Sequence, residues 1–348
     1  MSADRSTGLP GAALPALAAW LHRTHPGLLA GDLTGTLIPG GKSNLTYIVR
    51  DDAGTEVVLR RPPLGHVLAT AHDMSREAKV IRARAGSAVP VPQVLAESDS
   101  DEVLGAPFYV MTKAEGAAIR TKEELTELGP VRTAAVVEAM MTILADLHSI
   151  NPEAVGLGDF GRAEGFLTRQ VARWRTQFEA SRSRELPLET ELFEALSARV
   201  PQQGAPGIVH GDYRLDNVLV DTRQPGDPIT AVLDWEMSTI GDPLTDLALL
   251  LVYSGLGRSP QFGRAVTTAP QAEGYPSDRD LIARYASVSE RDLSEIGWYV
   301  ALANYKLAGV MEGIHYRFVQ GKTVGAGFDT AGDGVAVLLA NGLTALER

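Results

Sequence analysis

An α+β fold, with strands gathered in the first third of the chain and helices filling the rest, is predicted by three observations. Residues 33–60 carry three closely spaced strand signals, and two more follow at 93–96 and 108–112. Residues 131–200 and 278–346 are dominated by apolar positions at helical spacing. Between those helical blocks, residues 208–220 read as strand, polar loop and strand. Runs of strands followed by runs of helices define the α+β class.

In order, residues 1–11 are small and polar with Gly and Pro, and read as a loose terminus. Leu14, Leu17, Ala18 and Leu21 give residues 14–22 a helical stripe. Strands are expected at 33–38, 47–50 and 55–60, the last two joined by the turn Asp51-Asp52-Ala53-Gly54. A helix is expected from Asp73 to about Ala85, stopped by Val89-Pro90-Val91-Pro92. Val136, Val137, Met140, Ile143, Leu144 and Leu147 mark residues 131–150 as a buried helix, in which His148 reads as a core histidine. Amphipathic helices follow at 164–180 and 188–200. Asp242 before Pro243 is expected to cap a helix over 243–253. Residues 254–280, rich in Gly, Ser, Pro and Thr, are expected to be a loop. Helices are then expected at 278–287, 290–319 and 333–346.

Composition narrows the partners. The 348 residues are 45% hydrophobic and 22% charged, ordinary globular values that allow a sizeable core. Forty-three acids against 32 bases leave a net charge of −11, which argues against nucleic acid or an anionic membrane as partner. Cysteine is absent, so disulfides and thiolate metal sites are excluded. No basic-then-apolar leader follows the start, and the longest apolar run, 247–253, is too short to span a bilayer. A soluble, cytoplasmic protein is expected, its oligomeric state left open.

The chemistry concentrates in His210-Gly-Asp-Tyr-Arg-Leu-Asp-Asn217 and in Leu233-Asp234-Trp235-Glu236. Phosphoryl transfer needs one carboxylate facing the acceptor hydroxyl and hard oxygen ligands for a divalent cation on the nucleotide. Asp212 has the position of the first, and Asn217 and Asp234 those of the others. Asp and Asn also serve simply as turn formers. The loop spacing matches H-R-D-x-x-x-x-N with Gly211 in place of Arg, and Gly241-Asp242-Pro243 follows in order.

Together these segments resemble the aminoglycoside phosphotransferase-like family of small-molecule kinases, which includes relatives such as choline kinases. Within it they are most similar to the kinase-like domains fused to some acyl-CoA dehydrogenases. The resemblance implies a bilobal protein-kinase-like fold: an antiparallel-sheet N-lobe over 1–112, a hinge at 113–116 and a mainly helical C-lobe over 117–348. That lobe would hold the catalytic loop (208–221), the metal-binding strand end (229–236) and acceptor-binding helices (254–348). It also implies magnesium, with ATP or GTP as cosubstrate, and a small-molecule acceptor.

The roles carried over are these. Asp212 is the catalytic residue, with His210 and Asp246 in support and Asn217 and Asp234 on the metal. Gly40, Gly41, Ser43 and Asn44 would lie over the phosphates, although a two-glycine hairpin loop is also an ordinary turn. Val58 would cover the adenine, and Met111, Thr112 and Ala114 would border its edge. Arg60 stands where this family's relatives commonly have Lys, with Glu77 as its partner on the next helix. Strand alternation puts Val58 and Arg60 on one face and Leu59 and Arg61 on the other. Solvated arginines at a strand end, and a Glu placed only for the helix dipole, are the competing interpretations. Glu236 has the position of a metal or acceptor contact or of a surface acid.

Three functions remain. The first is a small-molecule kinase. A catalytically inert nucleotide-binding scaffold would use the same fold but would be expected to lack Asp212, Asn217 or Asp234, which are all present. A kinase for aminoglycosides or another antibiotic is the third. A protein kinase is excluded, because only eleven residues lie between Asp234 and Asp246, too few for an activation segment. Residues 251–348 hold ten acids and nine bases, a poor match for a polycation site. Lys306, Val310, Gly313 and Arg317 fall at helical spacing, either a solvated stripe or a face toward a neutral or anionic hydroxylated acceptor, such as a hydroxy acid or hydroxyacyl-CoA.

Overall fold

The structure, a computed structural model, describes residues 9–39, 44–64, 73–259, 262, 266–322 and 330–347. It divides into two compact units, residues 1–115 with 231–236 and residues 116–230 with 237–348. The class is α+β. The strand end carrying Asp234, expected within the second part, groups with the first unit.

The first unit opens with α1 (Leu14–Thr24), started by a proline in its first turn. The strands β1 (Thr34–Leu37), β2 (Leu45–Arg50) and β3 (Glu56–Arg61) follow as an antiparallel meander, and Val58 lies opposite Ile48. Helix α2 (Met74–Arg84) starts at Asp73, whose carboxylate accepts from Arg76 N at 2.8 Å. Strands β4 (Val94–Ser98) and β5 (Phe108–Thr112) complete a five-stranded sheet in the order β1-β2-β3-β5-β4. Leu17, Trp20 and Leu21 of α1 pack with Val57 and Leu59 of β3 and with Phe108, forming the core of this unit. Trp20 meets the Phe108 ring edge-on at 5.0 Å. Alternation along β3 therefore sends Leu59 and Arg61 toward α1, leaving Val58 and Arg60 for the opposite face.

The second unit begins with the short strand β6 (Ala117–Ala118). A Thr121–Glu124 capping box starts α3 (Lys122–Leu128), and Pro130 starts α4 (Pro130–Ser149). Helices α5 (Phe166–Ala180) and α6 (Pro187–Ala198) precede β7 (Gly207–Val209), β8 (Val218–Val220) and β9 (Ile229–Val232), whose first two residues belong here. The short β10 (Thr239–Gly241) pairs antiparallel with β7, and β6 pairs with β8. Helix α7 (Leu244–Arg258) is buried along most of its length. Against it pack α8 (Asp278–Val288) and α9 (Ile296–Val319), and α10 (Asp333–Leu346) packs on α9 and α6.

Three expectations are corrected. Helix α7 runs to Arg258, where a loop from residue 254 was expected. Gly257 within it serves close contact: a Cβ there would sit 2.7 Å from Thr267 O and 2.8 Å from Pro270. Helix α9 starts at Ile296 and not at 290, because Arg291 donates to the Ala205 and His148 carbonyls and Asp292 accepts from Ser294 N. Asp242 is not the cap residue itself, since Pro243 holds that place without a side-chain bond. From one position further out, Asp242 accepts from Leu244 N at 3.1 Å and from the Tyr299 hydroxyl at 2.8 Å.

Candidate active site

In the first unit, Arg60 collects three carboxylates. Its Nε donates to Glu77 at 3.1 Å, and its Nη2 donates to Asp234 at 2.6 Å and lies 3.8 Å from Glu236. Burial pulls the Arg60 guanidinium down, but the carboxylates of Glu77 and Asp234 more than reverse this and raise its pKa. Burial pushes the Glu77 carboxyl up, against the pull of Arg60. The Tyr109 hydroxyl also bonds Glu77. Asp234 adopts φ +67°, the left-handed region that only a few side chains enter. The Asn44 amide, buried at 3% exposure, donates to Glu236 at 3.0 Å.

The neighbouring Arg61 goes the other way, donating to the Gly11, Pro62 and Leu104 carbonyls. Val58 and Met111 are paired across the sheet and buried. Thr112 Oγ1 accepts from Gln93 N at 2.9 Å, so its hydroxyl is tied to the chain entering β4. Ala114 is half-buried. Gly40, Gly41 and Ser43 lie outside the described residues.

In the second unit, the loop after β7 is clamped from several directions. Asp246, in the first turn of α7, accepts from His210 N at 2.6 Å and Gly211 N at 2.8 Å. His148 Nε2 lies 3.4 Å from the same carboxylate, and the Tyr285 hydroxyl is 2.7 Å from His148 Nδ1. This pattern gives His148 the tautomer with its proton on Nε2, facing Asp246, and the tyrosine as donor to Nδ1. Burial works against the Asp246 charge, but His148, His210 and the Gly211 amide hold its carboxyl below the ordinary range. Gly211 sits at φ +88°, and a Cβ there would fall 2.7 Å from Met237 O. Its carbonyl accepts from the half-buried Lys306 ammonium at 2.9 Å.

The Asp212 carboxylate is then presented by this fixed peptide. Asn217 Nδ2 donates to both Asp212 O and Asp212 Oδ2, each at 2.9 Å. Asp212 N donates to His210 Nδ1 at 3.2 Å. Two partners of Asp212 escaped the sequence argument. Tyr253 bonds its carboxylate, and Arg214 Nε lies 3.4 Å from Oδ2 with its guanidinium 4.9 Å above the Tyr253 ring. The signal was present: Asp246, Leu249 and Tyr253 fall three and four residues apart on one helical face. Lys306 and Arg317 part company. Lys306 is half-buried beside the loop, whereas Arg317 is exposed eleven residues later, about 16 Å along α9.

Each unit holds oxygens of the hard kind that divalent cations take. In the second, Asn217 engages its nitrogen with Asp212, so its amide oxygen faces away from that residue; in the first, Asp234 carries a carboxylate already paired with Arg60. Among the described residues no cluster of three His, Cys, Asp or Glu side chains forms a complete cage. A cation would need further oxygens, such as those of nucleotide phosphates. No single described helix is long and apolar enough to cross a membrane.

Comparison with known proteins agrees with this arrangement. Residues 34–281 match the phosphotransferase enzyme family (APH). Acyl-CoA dehydrogenase family member 10 of Mus musculus is 31% identical over 312 residues, covering 88% of this chain and 29% of that protein. Acyl-CoA dehydrogenase family member 11 of Gallus gallus is 32% identical over 318 residues, 88% of this chain and 40% of that protein. The chain thus spans well under half the length of these relatives. A putative aminoglycoside phosphotransferase from Ralstonia eutropha superposes with a TM-score of 0.83 at 29% identity, over 96% of this chain and 98% of that one. With a protein-kinase-like α+β fold, the loop from His210 to Asn217 and a match over most of its length, the chain belongs to the phosphotransferase enzyme family.

Proposed function

We infer that the protein is a small-molecule kinase, transferring the γ-phosphoryl group of ATP or GTP to a hydroxyl of a neutral or anionic acceptor of hydroxy-acid or hydroxyacyl-CoA type. The observation that carries this reading is the Asp212 carboxylate, oriented by Asn217 on a peptide fixed by Asp246. Asp212 receives the acceptor hydroxyl and takes its proton as the oxygen bonds to the γ-phosphorus, while the bond from phosphorus to the bridging oxygen breaks. A carboxylate is a weak base, so the main effect of Asp212 is to align the hydroxyl. Arg60, held by Glu77, turns toward the phosphates, and Val58 covers the base. Asn217 and Asp234 are the residues that would hold magnesium, which screens the phosphate oxygens when bound.

The acceptor class draws on two facts. The C-terminal segment is almost neutral and places a half-buried lysine beside the catalytic loop, which disfavours a polycation. The likeness to acyl-CoA dehydrogenase family members supports an acyl-linked acceptor. A second reading, an inert nucleotide-binding scaffold, draws on the engagement of Arg60 with Asp234. A phosphate-transfer screen of hydroxylated metabolites, read by phosphorus NMR with Asp212→Asn as control, separates the possibilities. Rapid phosphorylation of kanamycin-type substrates, unaffected by Lys306→Ala, would overturn the acceptor class. Magnesium-dependent nucleotide binding without turnover on any acceptor would favour the scaffold.

A further inference from the structure

A cavity of about 70 Å³, partly open, lies within the second unit, bordered by α5, α7, α9, β7 and β10. Its wall is apolar at Phe166, Trp174, Leu249 and Leu302, and Gly211 closes it beside Asp212. Into it points Lys306. The ammonium carries three donors, yet among the described residues its only hydrogen bond is to the Gly211 carbonyl. The Trp174 ring lies 5.9 Å away and takes up part of the charge. Asp246 also lines the cavity, but it already accepts from the His210 and Gly211 amides. A half-buried cation with unused donors facing a largely apolar cavity is poorly satisfied until an oxygen acceptor comes to it.

The geometry points to a subsite for the acyl end of the acceptor, with Lys306 as the anchor of an acyl oxygen. This rests on the kinase reading, and it adds where and how the acceptor is gripped. At roughly 10–15 Å³ for each water-sized occupant, the cavity of about 70 Å³ takes about five to seven non-hydrogen atoms. That is a carboxylate or acyl carbonyl with a chain of two to four carbons, its hydroxyl left for Asp212 next to Gly211. Arg173, exposed at the lining's edge with its guanidinium 5.5 Å from Trp174, offers a second cation to a free carboxylate. A thioester would present only its carbonyl to Lys306.

The test compares glycolate and 3-hydroxypropionate with the matching diols and with the hydroxyacyl thioester, in nucleotide-free binding and in transfer. In the unmodified protein, the acids should shift the Trp174 indole resonance, assigned with Trp174→Phe, and the diols should not. Lys306→Met should lower the preference for acid over diol by about tenfold or more, the value of a lost charge-assisted bond, and Lys306→Arg should retain most of it. A role confined to holding the loop would lower acid and diol transfer equally. That result, or an indole unmoved by any acyl compound, overturns the subsite. Transfer that favours acids regardless of Lys306 leaves the kinase reading standing without the subsite. Lys306-dependent acid binding with no turnover does the reverse. Thioester preferred over free acid, still dependent on Lys306, assigns the subsite to the carbonyl.

Discussion

Arg60 and Asp234, 174 positions apart in sequence, are joined by a 2.6 Å ion pair. The same guanidinium holds Glu77 at 3.1 Å, and both side chains of that second pair are largely shielded from water. Removing the arginine therefore strands a buried carboxylate. Arg60→Ala should lower the unfolding free energy by about 3–5 kcal/mol, the usual cost of orphaning one member of a buried pair. Arg60→Lys should cost less, because a point charge can still face one of the acids. Denaturant titration of both variants measures the difference, and an Arg60→Ala protein as stable as the parent would refute it.

Asp212→Asn should lower phosphoryl transfer by about 10²- to 10⁴-fold while leaving magnesium–nucleotide affinity nearly intact. Asp234→Ala should weaken both, since it removes the cation ligand we propose and a partner of Arg60. Steady-state kinetics beside nucleotide titration distinguish the two patterns. Retention of most of the rate in Asp212→Asn would move the catalytic role elsewhere.

Gly211→Ala should be poorly tolerated although the change is one methyl group. The backbone stands at φ +88°, and the new carbon would meet Met237 O at 2.7 Å and its side chain at 2.8 Å. Left-handed backbone alone costs an alanine about 1–2 kcal/mol. Relief of the contact would swing the residue whose N–H binds Asp246 and whose carbonyl binds Lys306. The expected signature is a fall in kcat exceeding any change in nucleotide KM.

His148 should make stability fall with acidification. Burial lowers its pKa in the folded protein, while in the unfolded chain it titrates near 6.5. Below that pH the unfolded state binds the extra proton, so unfolding is favoured as pH falls, by at most about 1.4 kcal/mol per pH unit. Asp246, whose folded pKa is lowered, adds a separate loss that begins near the ordinary carboxylate range and continues as pH falls through its folded pKa. Unfolding curves between pH 7 and 5 should be flatter for His148→Gln than for the parent. Parallel slopes would show that His148 does not govern the response.

How far the sequence revealed this molecule depends on the kind of signal. The strand pairs and α2 were legible because alternation, the Asp51–Gly54 turn and Asp73 act locally. The end of α7 was not, because glycine normally marks a break, and only the close approach of Thr267 and Pro270 explains Gly257 inside a helix. Helical spacing put Lys306 and Arg317 on one stripe, but spacing carries no information on where a helix leaves its neighbours. Lys306 is enclosed by Trp174 and Gly211, and Arg317 has passed into solvent. The grip of Asp246 on the His210–Gly211 peptides needed three dimensions to be seen as two bonds, although the resemblance had indicated its role.

Consecutive arginines on β3 do opposite work, Arg60 facing the acids and Arg61 fastening the Gly11 and Leu104 carbonyls on the other face. Which arginine does which is set by odd or even position alone. A single residue added to or removed from β3 ahead of Arg60 would exchange their tasks, whereas two residues would restore them. Length changes accepted inside that strand should therefore come in pairs, and a library of one- and two-residue insertions there would sort by parity before it sorted by composition.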